Sequence, residues 1–279
     1  MQGEPFQFEP AQFEHSQDAA QFRRPRHRAG IELYRAHIVR HAFEPHTHEA
    51  YGLGAIESGV ERFRYRGSEH LAPPDSLVLM NPDVLHTGRA ETEGGWRYRM
   101  AYIDADVVEA VTGERGWWFR DAVHHDVASA HRVTQLLDAL WQAHEPLAFD
   151  SLLLTLLQEF RSRACVACAA PAERTPRFAS VIDYLRTNLA ERLTLEDLAA
   201  VAGLSPFHFL RSFQAQHHAT PQQMLMALRL FDAKRRLAAG EAPAQVAAAT
   251  GLSDQAHLTR AFVRRYGVTP ARYRQQVRN

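Results

Sequence analysis

The side chains best suited to recognising another molecule occur twice, at matching positions near the C-terminal end of this 279-residue chain. Arg211 and Arg260 lie 49 residues apart, and each follows a Gly-Leu-Ser stretch that begins at Gly203 or Gly251. An arginine side chain donates two parallel hydrogen bonds to the edge of guanine, and a glutamine such as Gln255 pairs in the same two-pronged way with adenine. These residue types predict direct contacts with base pairs.

Each copy has the spacing of a helix-turn-helix, the element that would position these side chains. The glycine supplies a sharp turn because it adopts a positive φ at little cost, and the serine two residues later, Ser205 or Ser253, can cap the following helix. Apolar residues four apart then face the core: Phe209 and Phe213 in the first copy, Leu258 and Phe262 in the second. A hairpin with no further role is the alternative for one copy, but two aligned copies favour a repeated functional unit.

The helix after each turn would present its remaining side chains to DNA. Polar side chains there can bond to base edges or phosphates, and apolar ones can contact thymine methyl groups. The predicted DNA-binding residues are Phe207, His208, Leu210, Arg211, Gln255, Ala256, His257 and Arg260.

Charge separates the two halves of the chain. The whole chain is formally neutral, but residues 175–279 hold 14 basic against 7 acidic residues, and residues 1–174 hold 18 against 25. This asymmetry predicts that only the C-terminal half meets phosphate. The candidate phosphate contacts, each with solvated surface charge as the alternative, are Lys234, Arg235, Arg236, Arg264, Arg265, Arg272 and Arg274.

Residues 175–279 resemble the DNA-binding domain of the AraC family of bacterial transcription regulators. The similarity rests on the stretch from Gly251 to Phe262, on its continuation from Tyr266 to Arg274, and on a connecting segment from Leu228 to Leu237. The resemblance implies an all-α domain in which a long helix joins two helix-turn-helix motifs. It also implies that both motifs bind double-stranded DNA, in major-groove segments about one helical turn, ~34 Å, apart.

The N-terminal half has the pattern of a small β-rich domain followed by a helical hairpin. Short runs of aromatic and β-branched residues alternate with turn signals, which predicts a sandwich or barrel. Two later runs have the apolar periodicity of amphipathic helices. The predicted strands are 32–40, 51–57, 60–66, 76–80 and 96–103, and the predicted helices are 127–144 and 149–163. The fold class is therefore α+β.

This half resembles the cupin-type effector-binding domain that precedes many AraC-family DNA-binding domains. The resemblance rests on Pro45-His46-Thr47-His48-Glu49 and on Pro82-Asp-Val-Leu-His86. It implies a cupin-like β-barrel whose interior binds a small molecule, and a helical hairpin that mediates dimerisation. The predicted effector-binding residues are His46, His48, His86 and Tyr98, with structural histidines hydrogen-bonded at the barrel mouth as the alternative. Arg35 or Arg99 could hold a carboxylate or a sugar hydroxyl, with a surface position as the alternative.

The three histidines could also be metal ligands. His46 and His48, two residues apart on a strand, would point to the same side, and His86 could complete a site like that of catalytic cupins. Enzymes of that type carry a glutamate four or five residues after the second histidine, where this chain has Gly52 and Leu53. We therefore predict no metal and no cofactor, with a three-histidine site completed by water as the alternative.

The chain divides into four predicted segments. These are an N-terminal arm (1–28), the cupin-like effector-binding and dimerisation domain (29–164), a linker (165–176) and the AraC-type DNA-binding domain (177–279). The arm could be disordered or fold over the pocket. The linker holds Cys165 and Cys168, whose spacing is a weak signal for zinc or redox chemistry. With no signal segment and no run of ~20 apolar residues, we expect a cytoplasmic, nucleoid-associated protein without membrane contact.

The preferred functional hypothesis is a sequence-specific transcription activator, not an enzyme, controlled by a small-molecule effector in the barrel. It would bind double-stranded DNA as a homodimer and act with RNA polymerase, and the effector would shift the balance between two arrangements. One alternative is a constitutive regulator whose barrel is only a dimerisation scaffold, which a ligand-insensitive melting temperature would favour. The other is a metal-dependent cupin enzyme with a DNA-binding tail, which bound metal with turnover would favour.

Overall fold

The N-terminal half is built from antiparallel strands in two sheets. The computed structural model describes residues 17–166 and 178–278. The strands are β1 (Ala19–Arg23), β2 (Ile31–Ile38), β3 (Ala42–His46), β4 (Ala50–Gly59), β5 (Glu61–Tyr65), β6 (Ser68–Ala72), β7 (Ser76–Met80), β8 (His86–Ala90), β9 (Trp96–Asp104) and β10 (Val123–His125). The larger sheet has the order β1-β2-β9-β4-β7-β10, and the smaller has β3-β8-β5-β6. The five predicted strands are confirmed as β2, β4, β5, β7 and β9.

The larger sheet is buried on both faces, and the alternation of side chains explains how. In β9, Tyr98 and Met100 face the barrel interior, whereas Ala101 and Ile103 belong to the core on the opposite face. Because both faces are covered, β4 and β7 carry runs of buried residues rather than an alternation of apolar and polar ones.

A helical hairpin covers the outer face of this sheet. After α1 (Ala105–Thr112), the chain forms α2 (Val127–Gln142) and α3 (Pro146–Arg161), whose apolar stripes pack against the sheet. Both predicted helices are confirmed. The second begins earlier than predicted because Pro146 suits the first helical position, where no backbone N–H is needed.

The described end of the predicted N-terminal arm is an edge strand of the larger sheet. β1 pairs with β2 and places Phe22 opposite Tyr34. The Phe22 ring centroid lies 4.6 Å from that of Tyr34 and 5.2 Å from that of Tyr273, near the other end of the chain. The backbone N–H of Phe22 also donates to the Gln276 side chain at 3.2 Å. β1 therefore contacts both halves, and residues 1–16 lie outside the described residues.

The C-terminal half is helical, with the predicted pair of helix-turn-helix motifs joined by a long helix. The helices are α4 (Ala179–Thr187), α5 (Leu195–Val201), α6 (Pro206–His217), α7 (Pro221–Ala238), α8 (Pro243–Ala249), α9 (Gln255–Tyr266) and α10 (Pro270–Arg278). The motifs are α5–α6 and α8–α9, and α7 joins them. Thr194 and Asp197 form a reciprocal capping box at the start of α5. No helix in the described ranges has both the length and the apolar character needed to cross a membrane.

The extra residue in the second motif is Asp254, and it corrects one prediction. Ser253 was predicted to cap the recognition helix, but α9 begins at Gln255 and the Asp254 side chain caps it, accepting a backbone N–H at 2.6 Å. A carboxylate is the better cap because the helix N-terminus favours negative charge. In the first motif Ser205 keeps the N-cap position. The shift by one residue explains the unequal spacing of the two copies.

The two halves share one hydrophobic core. Phe22 and Tyr98 of the barrel half and Leu230, Phe262 and Tyr273 of the helical half belong to the same buried cluster. The contact is made by α7 and α9 against β3, and by α10 against β1. The halves therefore pack as one body along this boundary.

Most of the predicted linker lies outside the described residues. Its first residue, Cys165, forms an isolated backbone bridge with Trp118, whose carbonyl accepts the Cys165 N–H at 2.9 Å. Residues 167–177, including Cys168, lie outside the described residues, so the choice between plain linker thiols and a zinc or redox pair stays open.

The two turn glycines offer a matched test of the motif geometry. Gly203 has φ 64° and Gly251 has φ 70°. A Cβ at Gly203 would meet nothing within 4 Å, whereas at Gly251 it would lie 2.5 Å from the Leu189 carbonyl oxygen. We expect Gly203→Ala to cost only the left-handed backbone penalty of ~1–2 kcal/mol. Overpacking should add about 1 kcal/mol or more in Gly251→Ala. Urea unfolding measures both, and equal losses would contradict the close approach at Gly251.

Candidate functional site

The first recognition helix, α6, has one buried side and one exposed side. Phe209 and Phe213 are fully buried in the core of the first motif. The other side carries the predicted DNA-binding residues Phe207, His208, Leu210 and Arg211, of which Leu210 is half-buried and the rest are exposed. Phe207 is 70% exposed, a large apolar surface for a single side chain. An apolar partner such as a thymine methyl group fits this exposure.

The second recognition helix, α9, repeats this arrangement with more polar side chains. Leu258 and Phe262 are fully buried. The opposite side carries the predicted Gln255, Ala256, His257 and Arg260, of which His257 is half-buried and the rest are exposed. His208 and His257 are equivalent, since each places its ring Nδ1 beside the serine hydroxyl ahead of its helix, at 3.0 and 3.2 Å. Contact of these residues with DNA remains a prediction.

Two of the basic residues assigned to the phosphate surface are buried instead. Lys234 is 6% exposed and Arg265 is 3% exposed. The Lys234 ammonium donates to the carboxylate of Glu32, and the Arg265 guanidinium donates to a backbone carbonyl of β3 at 2.9 Å. Helical phase explains the correction: α7 and α9 each turn one face to the barrel, while Arg235 and Arg264 lie on the exposed side.

A buried pocket lies where the barrel meets the helical half. It contains all four predicted effector-binding residues, His46, His48, His86 and Tyr98. The opposite wall belongs to the helical half and consists of Lys234, Arg265 and Tyr266. The cavity volume is about 40 Å³, comparable to one or two water molecules at ~30 Å³ each. Any occupant of this pocket would touch both halves.

The three histidines converge on one point of the pocket. His46, the last residue of β3, lies opposite His86, the first residue of β8. His48 follows β3 rather than lying within it, which corrects the prediction of a shared strand, yet its ring faces the same space. The ring centroids of His46 and His86 lie 4.1 Å apart, and the His48 centroid lies 5.2 Å from the first and 5.3 Å from the second.

Burial keeps these imidazoles uncharged. It lowers the pKa of His86 to about 4, and it lowers the pKa values of His46 and His48 well below 6.5. Repulsion by Arg265 acts in the same direction on all three rings. The rings therefore offer neutral nitrogen lone pairs at physiological pH.

A buried acid beside the pocket joins the two halves. Glu32 is 4% exposed, and its carboxylate accepts from the Lys234 ammonium, from the Tyr273 hydroxyl at 2.7 Å and from Arg24 at 3.0 Å. Burial alone would raise the pKa of this carboxyl group, but the charges of Lys234 and Arg24 outweigh that effect and hold the pKa below its usual range. Loss of one partner from a buried ion pair typically costs ~3–5 kcal/mol. That cost is the penalty for leaving the other charge buried alone, and burial also lowers the pKa of Lys234, so the pair fixes where the two halves meet rather than measuring how tightly they hold.

Arg35 and Arg99, the candidate effector-binding arginines, contact the helical hairpin instead. Arg99 is buried and forms ion pairs with Glu57 and Asp138. The Arg35 guanidinium lies over the ring of Trp141, 4.2 Å from its centroid. Neither lines the pocket.

The pocket cations come from the helical half, which the sequence analysis missed. One signal was available for Lys234. It is the only lysine in the chain, and it follows Leu230 and Ala233 and precedes Leu237, all apolar at helical spacing. That pattern indicates a residue at the edge of a buried stripe. No comparable signal distinguishes Arg265 from the exposed Arg264 beside it.

Glu61 gives the pocket an acid that titrates near neutral pH. It is 8% exposed, and burial raises its pKa to about 8. The folded chain keeps a proton that the unfolded chain releases near pH 4.5. Glu61 alone should therefore lower the free energy of unfolding by up to ~1.4 kcal/mol per pH unit as the pH rises from about 5 to 8. The three neutral histidines contribute in the opposite direction below about pH 6.5.

In Glu61→Gln this contribution should disappear, so the parent protein should lose free energy of unfolding relative to the variant as the pH rises from about 5 to 8. Urea unfolding at a series of pH values checks it, with Glu69→Gln, at a 62% exposed side chain, as the matched control. Parallel profiles for the parent and Glu61→Gln would show that Glu61 is not a buried neutral acid.

Both halves match known protein domains. Residues 28–157 match the AraC-like ligand binding domain, and residues 198–276 match a helix-turn-helix domain. The uncharacterized HTH-type transcriptional regulator YbfI of Bacillus subtilis (strain 168) is 31% identical over 82% of this chain and 86% of its own length. The MmsAB operon regulatory protein of Pseudomonas aeruginosa is 28% identical over 92% of this chain and 81% of its own length.

The fold also matches solved structures. Apo ToxT from Vibrio cholerae aligns with a TM-score of 0.59 at 10% identity, over 90% of this chain and 98% of ToxT. Its unsaturated fatty acid-bound form aligns with a TM-score of 0.57 at 9% identity, over 88% and 95%. At these identities the likeness shows a shared fold. This chain matches both the AraC-like ligand binding domain and a helix-turn-helix domain, and it is 31% identical over 82% of its length to a transcriptional regulator, so the chain belongs to the AraC family of transcription regulators.

Proposed function

We propose that the chain is a transcription activator whose affinity for its DNA site is set by a small carboxylic acid bound between its two halves. The observation that carries the proposal is the composition of the pocket, whose walls come from the barrel and from the DNA-binding half. A ligand shifts a conformational equilibrium only through unequal contacts with the two states. A ligand in this pocket would gain or lose contacts whenever the two halves move apart.

The side chains around the pocket favour an acid with an apolar body. Lys234 and Arg265 are buried cations, and the Arg265 Nε has no hydrogen-bond partner among the described residues. A carboxylate would supply charge-assisted hydrogen bonds there. Phe22, Met80 and Met100 supply the apolar surface. The fatty acid in the ToxT structure, a protein of the same fold, is also a carboxylic acid and supports this class of effector.

The buried ion pair suggests how such a ligand would act. A carboxylate beside Lys234 would compete with Glu32 for the same ammonium group. Because the Glu32 contact holds the barrel to the DNA-binding half, the competition would shift the population toward a different arrangement of the two halves. The cavity of about 40 Å³ has to expand to admit the ligand, which couples entry to that rearrangement.

We further propose a homodimer that acts with RNA polymerase. α3 exposes Leu147 (81%) and Leu154 (40%), seven residues apart and so on one side of the helix. Such a stripe supports pairing of two hairpins. A dimer would bind two DNA half-sites and would place a bound activator beside the polymerase.

A second candidate is a constitutive regulator with a closed barrel. It is favoured by the small cavity and by the ion pair that joins the two halves beside it. In that case the pocket would be part of the interface that holds the halves together, and ligands would not change DNA affinity.

The effector proposal is tested by the thermal stability of the full chain against a panel of small carboxylic acids and matched amides, in the presence of a chelator. We expect at least one acid, and not its amide, to raise the melting temperature, because a ligand of the native state stabilises it by mass action. The same acid should change affinity for the DNA site. No effect across the panel would favour the constitutive regulator.

The matched variants separate the pocket from general charge effects. Lys234→Met combined with Glu32→Gln removes the ion pair without leaving either charge unpaired, and it should abolish the response to the acid. Arg235→Met, at the neighbouring exposed position, should keep it. An unchanged response in the double variant would place the acid elsewhere.

Specific recognition of DNA is tested at Arg260. If its guanidinium pairs with a guanine, Arg260→Ala should lose ~1–3 kcal/mol of discrimination at one base pair. Arg264→Ala, one helical turn further along α9 where Arg264 lies 3.5 Å from Glu44, is the control and should leave discrimination unchanged. Competition binding with single-base variants of the site measures both. Equal weakening of Arg260→Ala on specific and random DNA would make Arg260 a phosphate contact.

A further inference from the structure

The three pocket histidines are arranged as ligands for a metal ion, and binding of a carboxylic acid alone does not account for that arrangement. One ligand atom from each of His46, His48 and His86 lies within 4.8 Å of the other two. We propose that these residues bind one divalent transition-metal ion of the zinc type at the boundary between the barrel and the DNA-binding half.

Hydrogen bonds orient two of the rings for this role. The Nδ1 of His46 lies 2.8 Å from the Glu44 carbonyl oxygen, and the Nδ1 of His86 lies 3.0 Å from the Val84 carbonyl oxygen. A carbonyl only accepts, so each Nδ1 carries the proton and each Nε2 keeps its lone pair. Metal-binding histidines almost always hold their second nitrogen in this way.

The third ring has an unsatisfied nitrogen. His48 is 8% exposed, and its Nε2 has no hydrogen-bond partner among the described residues. Buried polar atoms are nearly always paired, and each one left unpaired destabilises the fold. A metal ion shared with the other two rings would satisfy this nitrogen without any new polar group.

The spacing fits an ion after a small adjustment. Ligands 2.0–2.1 Å from a tetrahedral zinc ion lie about 3.3 Å from one another. The present upper limit is 4.8 Å. The ring centroids of His46 and His86 already lie 4.1 Å apart. Movement of the three rings by about 1 Å would bring their ligand nitrogens to the spacing of a tetrahedral zinc site.

The three histidines leave one position of a tetrahedral ion without a protein ligand. The glutamate that completes catalytic cupins is absent here, because Gly52 and Leu53 occupy its place, and a Cβ at Gly52 would pack tightly, 3.2 Å from Met80 and 3.3 Å from Met100. The position therefore stays open to water, hydroxide or an added anion. Lys234 and Arg265 repel a bare dication, and an anionic fourth ligand offsets that repulsion. The carboxylate of the proposed effector would be such a ligand, a step that rests on the proposed function.

The donor set selects the ion. Three imidazoles without a carboxylate suit zinc, cobalt, nickel or copper, whereas magnesium and calcium require oxygen ligands. The site would therefore discriminate against the abundant alkaline-earth ions. No metal is predicted from the sequence because the glutamate of catalytic cupins is absent. That absence lowers the number of protein ligands from four to three, and the three imidazole ligands remain.

The test uses the full chain, stripped with a chelator and titrated with Co²⁺ and Zn²⁺ in the absence of DNA and organic acids. We expect one ion per chain, a ligand-field spectrum of low-coordinate Co²⁺ that Zn²⁺ abolishes and Mg²⁺ does not, and three imidazole ligands by X-ray absorption. His48→Ala should weaken binding by at least about 100-fold, since loss of an outer partner alone costs 10–100-fold.

His37→Ala is the matched control, because His37 lies in β2 of the other sheet and does not line the pocket, with its Nε2 3.0 Å from the Gly94 carbonyl oxygen. This variant should bind metal as the parent does. If His48→Ala fails to fold, the Co²⁺ spectrum and the number of imidazole ligands in the parent protein still test whether the three histidines bind the ion. No binding, or binding that survives His48→Ala, would overturn the proposal. Since the carboxylic acid panel is run with chelator, the metal site and the effector can fail independently.

Discussion

An acid and an amine from opposite halves of the chain are buried against each other, and the arrangement of the molecule depends on that contact. Glu32 and Lys234 lie 202 residues apart in sequence. Each alone would be costly to bury, so the barrel and α7 have to meet where the charges can pair. Tyr273 and Arg24 complete the carboxylate's hydrogen bonds and draw α10 and the segment after β1 to the same place.

Closing the two halves around this pair creates the pocket. The barrel supplies neutral histidines and apolar side chains, and the helical half supplies cations that the barrel interior lacks. The result is a small volume with nitrogen ligands on one wall and positive charge on the other. An anion and a metal ion bound there would each lower the electrostatic free energy of binding the other, because their charges are opposite. Both would bind at the same boundary between the halves.

Sequence reasoning succeeded where the determinants are local. The turn glycines, the Thr194–Asp197 capping box and the Phe209–Phe213 pair act within one or two helical turns, so the motifs could be predicted with their core faces. β3 and β8 carry Pro45 and Gly88, which disfavour strands, and pairing in the sheet overrides that preference. The burial of Lys234 depends on a residue 202 positions away, and composition pointed to DNA instead.

The cationic wall of the pocket has a consequence for how such regulators are recombined. Fusing the barrel of one regulator to the DNA-binding half of another is usually regarded as an exchange of sensor and output. Here Lys234, Arg265 and Tyr266 would leave with the output half, although they line the sensor's pocket. A chimera of this chain would thus inherit a hybrid pocket, and a change of promoter would also change which molecules it can detect.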